Sequence, residues 1–511
     1  MSFVFLSHIM LRLDRVFLFF GFLVLTVFTA SAAEIQPVKY VFLFIGDGMS
    51  FPQRQMAEEF ARKTDNRGLL INAMPYQAIT TTHAAGDQYI TDSAAAGTAI
   101  ACGVKTKNGT LGLDADGHRL ESVAEFALKN GRKVGIITSV TINHATPAAF
   151  YAHNASRSSD YDIGLDLVAS GFHYFGGGGV SRYNDQNAEN YRGNIYDLAQ
   201  EAGYTVCRTA EQVRSLKPGI EKVIALGSES DLPYAIDGNK EGLRLADFTK
   251  QAIELLDNPN GFFIMVEGGK IDWACHDNDA AAAVRETLEF DDAVLAALLD
   301  FAGKKPGEVL IVVTGDHETG ALSVSASGTG YGVYLALLTN QKASKGTLTA
   351  LTEKFVKDNK EEATFEKFKL FITEQSGLVF TEEGRWRAGN LNLTRNEMKE
   401  LEDDFAVTKK AVEENQSGGR DRVVRTMIRL LNSKSGITWS SGGHSALPVN
   451  TSVWGSQARE IAENIRDNTD IAKQLKSAVG TYTHFVCIPA PYLDMTVIRG
   501  RMGLLTGLRG D

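Results

Sequence analysis

The sequence predicts an α/β fold, with a central, mainly parallel sheet flanked by helices on both faces. Three observations carry that prediction. Short runs rich in β-branched and aromatic residues recur along the chain, and each ends in a Gly/Asp-rich break. Amphipathic helical patterns lie between the runs, as alternating strand and helix units require. The runs are apolar throughout instead of alternating, which suits strands covered on both faces.

Taken in order, the chain opens on a segment that does not belong to the fold. Arg12 and Arg15 precede the apolar run Val16 to Phe28, and Ala30-Ser31-Ala32 follows as an A-x-A pattern. This is the layout of a secretory signal peptide spanning residues 1–32, with cleavage after Ala32 and Met10 as an alternative start. The run is short for a membrane span. The expectation is export to the periplasm or the medium, with no stable membrane span after cleavage. Residues 33–511 then form the catalytic domain.

Tyr40 to Ile45, Val134 to Thr138, Phe262 to Val266 and Val309 to Val313 read as buried strands. Leu120 to Lys129 and Ala280 to Leu299 read as helices. Ser93 heads the small-residue run Ala94-Ala95-Ala96-Gly97-Thr98-Ala99, which also reads as helix. Gly176 to Gly179 lacks the lysine and Ser/Thr of a P-loop and reads as a turn. Residues 340–435 differ in texture, being rich in Lys and Glu, poor in strand signals and helical in period. They read as a helical insertion, either a cap, an oligomer contact or a surface elaboration. No internal repeat is evident.

Composition bounds the function. At 44% hydrophobic and 22% charged, the 511 residues can bury a large core and are not globally disordered. A net charge of −10 argues against a nucleic-acid partner. The four cysteines, Cys102, Cys207, Cys275 and Cys487, match no zinc-finger spacing. Export would permit bridges, and buried free thiols fit equally well.

The chemistry lies in motifs at strand ends, where α/β sheets place their sites. Asp47, Glu267 and Asp316 each follow an apolar run, and caps alone do not explain all three. Asp272 and His276 are spaced i, i+4 on one helical face, a pattern that suits zinc. Asp316 and His317 are adjacent where the chain breaks, and His444 stands in a Gly-rich loop. Glu267, Asp47 and the Thr146 hydroxyl offer the hard oxygens that magnesium prefers. Ser93 has no neighbouring histidine and no G-x-S-x-G elbow, so activation by metal is the natural route to a nucleophile. Two cations can hold attacking and leaving oxygens together, and a helix N-terminus at Ser93 favours an anion. Phosphoryl transfer through a serine is the reading.

Gly46-Asp47-Gly48-Met49, Thr91-Asp92-Ser93-Ala94-Ala95, Gly103-Val104-Lys105-Thr106 with Gly109, and His144-Ala145-Thr146-Pro147-Ala148-Ala149 occur in the order found in one family. On these motifs the chain resembles alkaline phosphatases, over most of residues 36–335 and again around 438–456. The resemblance implies two Zn²⁺ and one Mg²⁺. Asp272, His276 and His444 would hold the first zinc. Asp47, Asp316, His317 and the Ser93 oxygen would hold the second. Asp47 would bridge to magnesium, joined by Thr146, Glu267 and the position of His144. Arg157 would clamp two phosphate oxygens, Asp92 would orient Arg157, and Ser93 would form a phosphoserine that is then hydrolysed. Substrates would be small phosphate monoesters, and the family implies a homodimer.

Two positions depart from the pattern best known in bacteria. His144 stands where many members carry aspartate, which alters the magnesium shell. Trp273 stands where lysine or histidine often approaches phosphate, so it is assigned to substrate contact, with plain packing as the alternative. His83, His118 and His153 receive no metal role. A phosphodiesterase, phosphonate hydrolase or sulfatase on the same metal-dependent fold is the rival enzyme reading. Ser93-Ala94-Ala95 lacks the Pro and Arg of a sulfatase motif, and Arg157 favours monoesters. A secreted binding protein without turnover is the rival outside enzymes.

Overall fold

The computed structural model describes residues 38–238, 242–299, 303, 305, 307–381 and 389–480. The expected signal peptide and Cys487 lie outside the described residues. Nine strands form the main sheet: β1 Tyr40–Gly46, β2 Tyr76–Thr80, β3 Lys133–Thr138, β4 Tyr174–Gly177, β5 Thr205–Cys207, β6 Val223–Leu226, β7 Phe262–Gly268, β8 Val309–Gly315 and a long late strand, Val449–Gly455. Two-residue strands lie between the last two: β9 Glu318–Thr319, β10 Leu322–Ser323, β11 Thr438–Trp439 and β12 His444–Ser445. The late strand is therefore β13. The sheet order is β2-β13-β8-β1-β7-β3-β4-β6-β5. β13 pairs antiparallel with both β8 and β2, and the other pairings are parallel.

The four strands read from the sequence are the adjacent central ones, β8-β1-β7-β3. Their apolar runs are continuous because each face is covered. Tyr40, Phe42 and Phe44 of β1 enter one core, and Val41, Leu43 and Ile45 enter the other. β7 and β8 divide the same way, with Ile264 and Ile311 on the first side and Phe263 and Leu310 on the second.

Register places the chemistry on one rim. Gly46 of β1 is level with Gly268 of β7 and with Gly315 of β8, while Thr138 of β3 is level with Glu267. Asp47, Glu267 and Asp316 therefore emerge side by side at the carboxyl ends of three neighbouring strands. The helix Val123–Lys129 begins three residues later than its apolar pattern, because Ser122 and Glu125 form a capping box there. The helix Ala280–Ala297 begins where expected, capped by Asp279.

One expectation fails. Gly176 and Gly177 are not a turn but the end of β4. A Cβ on Gly178 would stand 2.2 Å from the Ser230 carbonyl and 2.5 Å from that of Val140. The glycines are there because backbones pass too closely for side chains.

Residues 340–435 form four principal helices, Lys345–Asn359, Phe365–Ser376, Arg395–Glu413 and Arg422–Ser435, with a hydrophobic core of their own. Phe368 and Phe405 stack there with ring centres 4.5 Å apart. The first of these helices is tied to the α/β body at its start. The backbone N–H of Ser344 donates to Asp237, and that of Lys345 donates to Asp279. Cys102, Cys207 and Cys275 are buried free thiols.

Candidate active site

Ser93 opens the helix Ser93–Cys102, and Asp92 is its N-cap, accepting from the Ala95 N–H at 2.9 Å. The second Asp92 oxygen accepts from Gly109 N–H at 3.0 Å and from Arg157 Nη1 at 3.1 Å. One carboxylate thus starts the helix that carries Ser93 and aims the guanidinium beside it. Arg157 Nη2 stands 3.2 Å from His144 Nε2. The Trp273 ring meets the His144 ring edge-on, with centres 5.9 Å apart.

The sequence-predicted residues converge into three adjoining groups. In the first, His276 and Asp272 share the helix Lys270–His276, with Nε2 to Oδ2 at 3.3 Å. His444 Nε2 lies 3.6 Å from Asp272 Oδ1 and 3.2 Å from His276 Nε2. The other ring nitrogens face carbonyls, His276 Nδ1 that of Gly442 at 2.6 Å and His444 Nδ1 that of Thr91 at 2.8 Å. Those carbonyls can only accept, so both Nδ1 atoms carry protons and both Nε2 atoms turn toward Asp272. Two imidazoles and a carboxylate converging on one point make a donor set that suits a cation.

In the second group, His317 Nε2 lies 3.4 Å from Asp47 Oδ1, 3.3 Å from Asp316 Oδ2 and 3.3 Å from Ser93 Oγ. The nucleophile candidate therefore sits at the same focus as two carboxylates and an imidazole. In the third, donor atoms of Asp47, His144 and Glu267 lie within 4.8 Å of one another. Thr138 Oγ1 donates to Glu267 Oε2. The Thr146 hydroxyl is buried without a hydrogen-bond partner.

Unmet hydrogen-bonding capacity tests whether divalent cations fit. Both oxygens of Asp47, Oδ2 of Asp316, Oε1 of Glu267, Nδ1 of His144 and Oγ1 of Thr146 are buried without hydrogen-bond partners. Buried polar atoms are ordinarily satisfied, and these six share one rim, while other unsatisfied atoms of the described residues lie scattered elsewhere. Carboxylate, imidazole and hydroxyl donors in these groupings suit zinc at the first two positions and a harder cation at the third.

Proton affinities record the same crowding. Burial, then the neighbouring Asp316 and Asp272 charges, raises Asp47 well above the carboxylate range. Burial pushes Asp316 up to about 8 and Glu267 up to about 7. Burial also works to raise Asp272, but the hydrogen bond from His276 and the surrounding imidazoles outweigh it and hold that carboxyl low. The same hydrogen bond lifts His276 to about 9. Burial, and then Arg157, lower His144 to about 4.

Some residues at the site carried no sequence signal. Thr319 Oγ1 donates to Asp272 Oδ1 at 2.5 Å. Asn108 accepts from the Asp92 N–H at 2.9 Å and donates to the Ile90 carbonyl at 2.9 Å, fixing the loop before Ser93. The i, i+2 and long-range contacts involved have no period to betray them. His118, set aside in sequence, gathers with Asp114 and Asp116 in a largely exposed loop that is hydrogen-bonded within itself.

Comparison with known proteins bears on what this rim does. The family profile described as Alkaline phosphatase matches residues 38–481. Alkaline phosphatase 4 of Bacillus subtilis is 32% identical over 456 residues, covering 87% of this chain and 89% of that protein. The cold-active alkaline phosphatase of a psychrophilic Shewanella superposes with a TM-score of 0.71 at 25% identity, covering 86% of this chain and 99% of that one. The Thermus thermophilus alkaline phosphatase superposes with a TM-score of 0.72 at 25% identity, covering 93% and 98%.

Proposed function

Since this chain belongs to the alkaline phosphatase family of phosphate-monoester hydrolases, we propose that it cleaves small phosphate monoesters through a phosphoserine at Ser93, outside the cytoplasm. The observation that carries the reading is the focus of Ser93 Oγ, 3.3 Å from His317 Nε2, on a rim of buried, unsatisfied carboxylates. Asp272, His276 and His444 would hold one zinc. Asp47, Asp316, His317 and Ser93 would hold a second, and Asp47, His144, Thr146 and Glu267 a magnesium. When bound, these cations supply Lewis-acid charge for the serine oxygen, the phosphate oxygens and the leaving oxygen.

The chain's own residues do the rest. Ser93 Oγ attacks phosphorus from the first residue of a helix whose N-terminal dipole favours the anion. The bond to the alcohol oxygen breaks, and the alcohol departs with a proton. Water then attacks the phosphoserine, restoring the Ser93 hydroxyl and releasing inorganic phosphate. Arg157 is placed to hold two phosphate oxygens with its planar fork. Asp92 keeps that fork aimed, and Trp273 with His144 walls the side next to it. An apolar, arginine-led N-terminus supports export. Among the described residues no helix is long and apolar enough to cross a membrane.

The test is turnover of a chromogenic phosphate monoester against the matching diester and sulfate ester, from pH 6 to 11, with Zn²⁺ and Mg²⁺ added. Monoester cleavage with an alkaline optimum is expected, and dominant diester or sulfate cleavage would overturn the substrate class. Acid quenching during turnover should trap label on the wild-type chain and none on Ser93→Ala. Label surviving that substitution would remove Ser93 from its role.

A further inference from the structure

Glu318 is fully buried and stands next to His317, yet it belongs to none of the three ligand groups. Both of its oxygens are saturated. Oε1 accepts from Gln53 Nε2 at 2.7 Å and from the Leu322 N–H at 3.1 Å. Oε2 accepts from the Ala321 N–H at 3.1 Å and from Ser445 Oγ. Four acceptor directions meet four donors, which is what a buried carboxylate without a cation demands.

The donors come from three stretches far apart in sequence. Gln53 lies in the first turn of the helix Phe51–Thr64, and its Nε2 also donates to the Thr319 carbonyl at 2.8 Å. Ala321 and Leu322 belong to the turn that follows His317. Ser445 follows His444 in β12. Between His317 and His444 the chain leaves to build the four-helix insertion, then returns.

The return is held by short pieces of backbone pairing, first β11 against β10 and then β12 against β9. β12 meets β9 in a ladder of two residues, His444 opposite Thr319 and Ser445 opposite Glu318. The Gly320 N–H donates to the Gly443 carbonyl at 2.8 Å, and the Ser441 and Ser440 N–H groups donate to the carbonyls of Gly320 at 3.1 Å and Ala321 at 3.4 Å. A ladder this short has little stability of its own. The hydroxyl of Ser445 anchors it to a charged acceptor, the stronger class of hydrogen bond.

We propose that Glu318 is a positioning residue for the cation site of Asp272, His276 and His444. It clasps the returning strand through Ser445 and so fixes His444 Nε2 opposite His276 Nε2. The inference rests on the proposed phosphatase reading, and it concerns one site among three. Asp47, Asp316 and His317 sit on β1 and β8 ends that the clasp does not carry.

The experiment is titration of the metal-stripped full chain with Zn²⁺ in competition with a chromogenic chelator, for wild type, Glu318→Gln and Ser445→Ala. Wild type should show at least two classes of zinc site. Both variants should weaken one class by about tenfold or more, the range for losing a partner that orients a metal ligand, and leave the other unchanged. Metal-free Ser445→Ala should still unfold in one cooperative transition, separating a site defect from loss of the fold. Unchanged affinities in both variants would overturn the proposal, as would equal weakening of every class. If Glu318→Gln does not fold, Ser445→Ala decides alone, because it leaves Glu318 with three donors. A wild type that binds no zinc would instead overturn the phosphatase reading beneath it.

Discussion

At the scale of single residues, this chain puts its acidic groups to different uses. Asp92 is used twice, as helix cap and as partner of Arg157. Asp47 and Asp316 are buried with unsatisfied oxygens, which the proposed cations would satisfy. Glu286 is a third kind. It accepts from the Ala235 N–H at 2.7 Å, and burial together with the neighbouring Glu289 pushes its carboxyl up to about 8 from an ordinary 4.5. The folded chain therefore retains a proton that the unfolded chain releases. By linkage, stability falls as pH rises from about 4.5 to about 8, and the loss is complete above that window. Glu286→Gln keeps the acceptor and removes the charge. The variant should gain on wild type across this window, by a few kcal/mol at most on the order of 1.4 kcal/mol per pKa unit. Unfolding midpoints from pH 5 to 9 measure this, and a constant offset between the two proteins would show that Glu286 titrates alike in both states.

Elements were legible where their burial is uniform. The central strands could be read because apolar runs with no polar face have one architectural use. Asp272 and His276 could be paired because i, i+4 is a property of any helix. Asp47, Glu267 and Asp316 could be grouped because each follows a strand, and parallel register then aligned them. β9 and β12 could not be read, since two residues carry no period and their pairing spans the whole insertion. Thr319 and Glu318 were missed for that reason. Gly176 to Gly179 was misread because glycine signals a turn and a close approach alike. The distinction is testable at Gly178. An alanine there must displace two carbonyl groups, not a side chain. Gly178→Ala should cost about 2 kcal/mol or more, read as a lowered denaturant midpoint with the slope unchanged. A midpoint equal to wild type would mean that the Val140 and Ser230 backbones can move apart.

For the whole molecule, the surface and the charge of the site make separate demands. Ile79 on the edge strand β2 is 63% exposed, and Tyr89 is 64% exposed in the loop before Ser93. Apolar side chains on an open sheet edge favour a partner, and a homodimer is the proposed one. Sedimentation should give twice the chain mass, and Ile79→Asp should shift it toward monomer; a wild type that sediments as a monomer would remove the dimer. The acidic rim makes the second demand. Without cations to share its charge, the fold keeps protons on Asp316 up to about 8 and on Glu267 up to about 7, against 3.8 and 4.5 ordinarily. The native state then binds more protons than the unfolded chain between about pH 4 and 8, so the metal-stripped protein loses stability as pH rises through that range. Bound Zn²⁺ and Mg²⁺ replace those protons, and binding to the native state alone adds stability on top. The unfolding midpoint of chelated protein should therefore fall from pH 5 to 8.5, while that of the reconstituted protein stays flatter, and the gap between them should widen toward alkaline pH. Parallel curves would mean that the buried carboxylates are not where the cations bind.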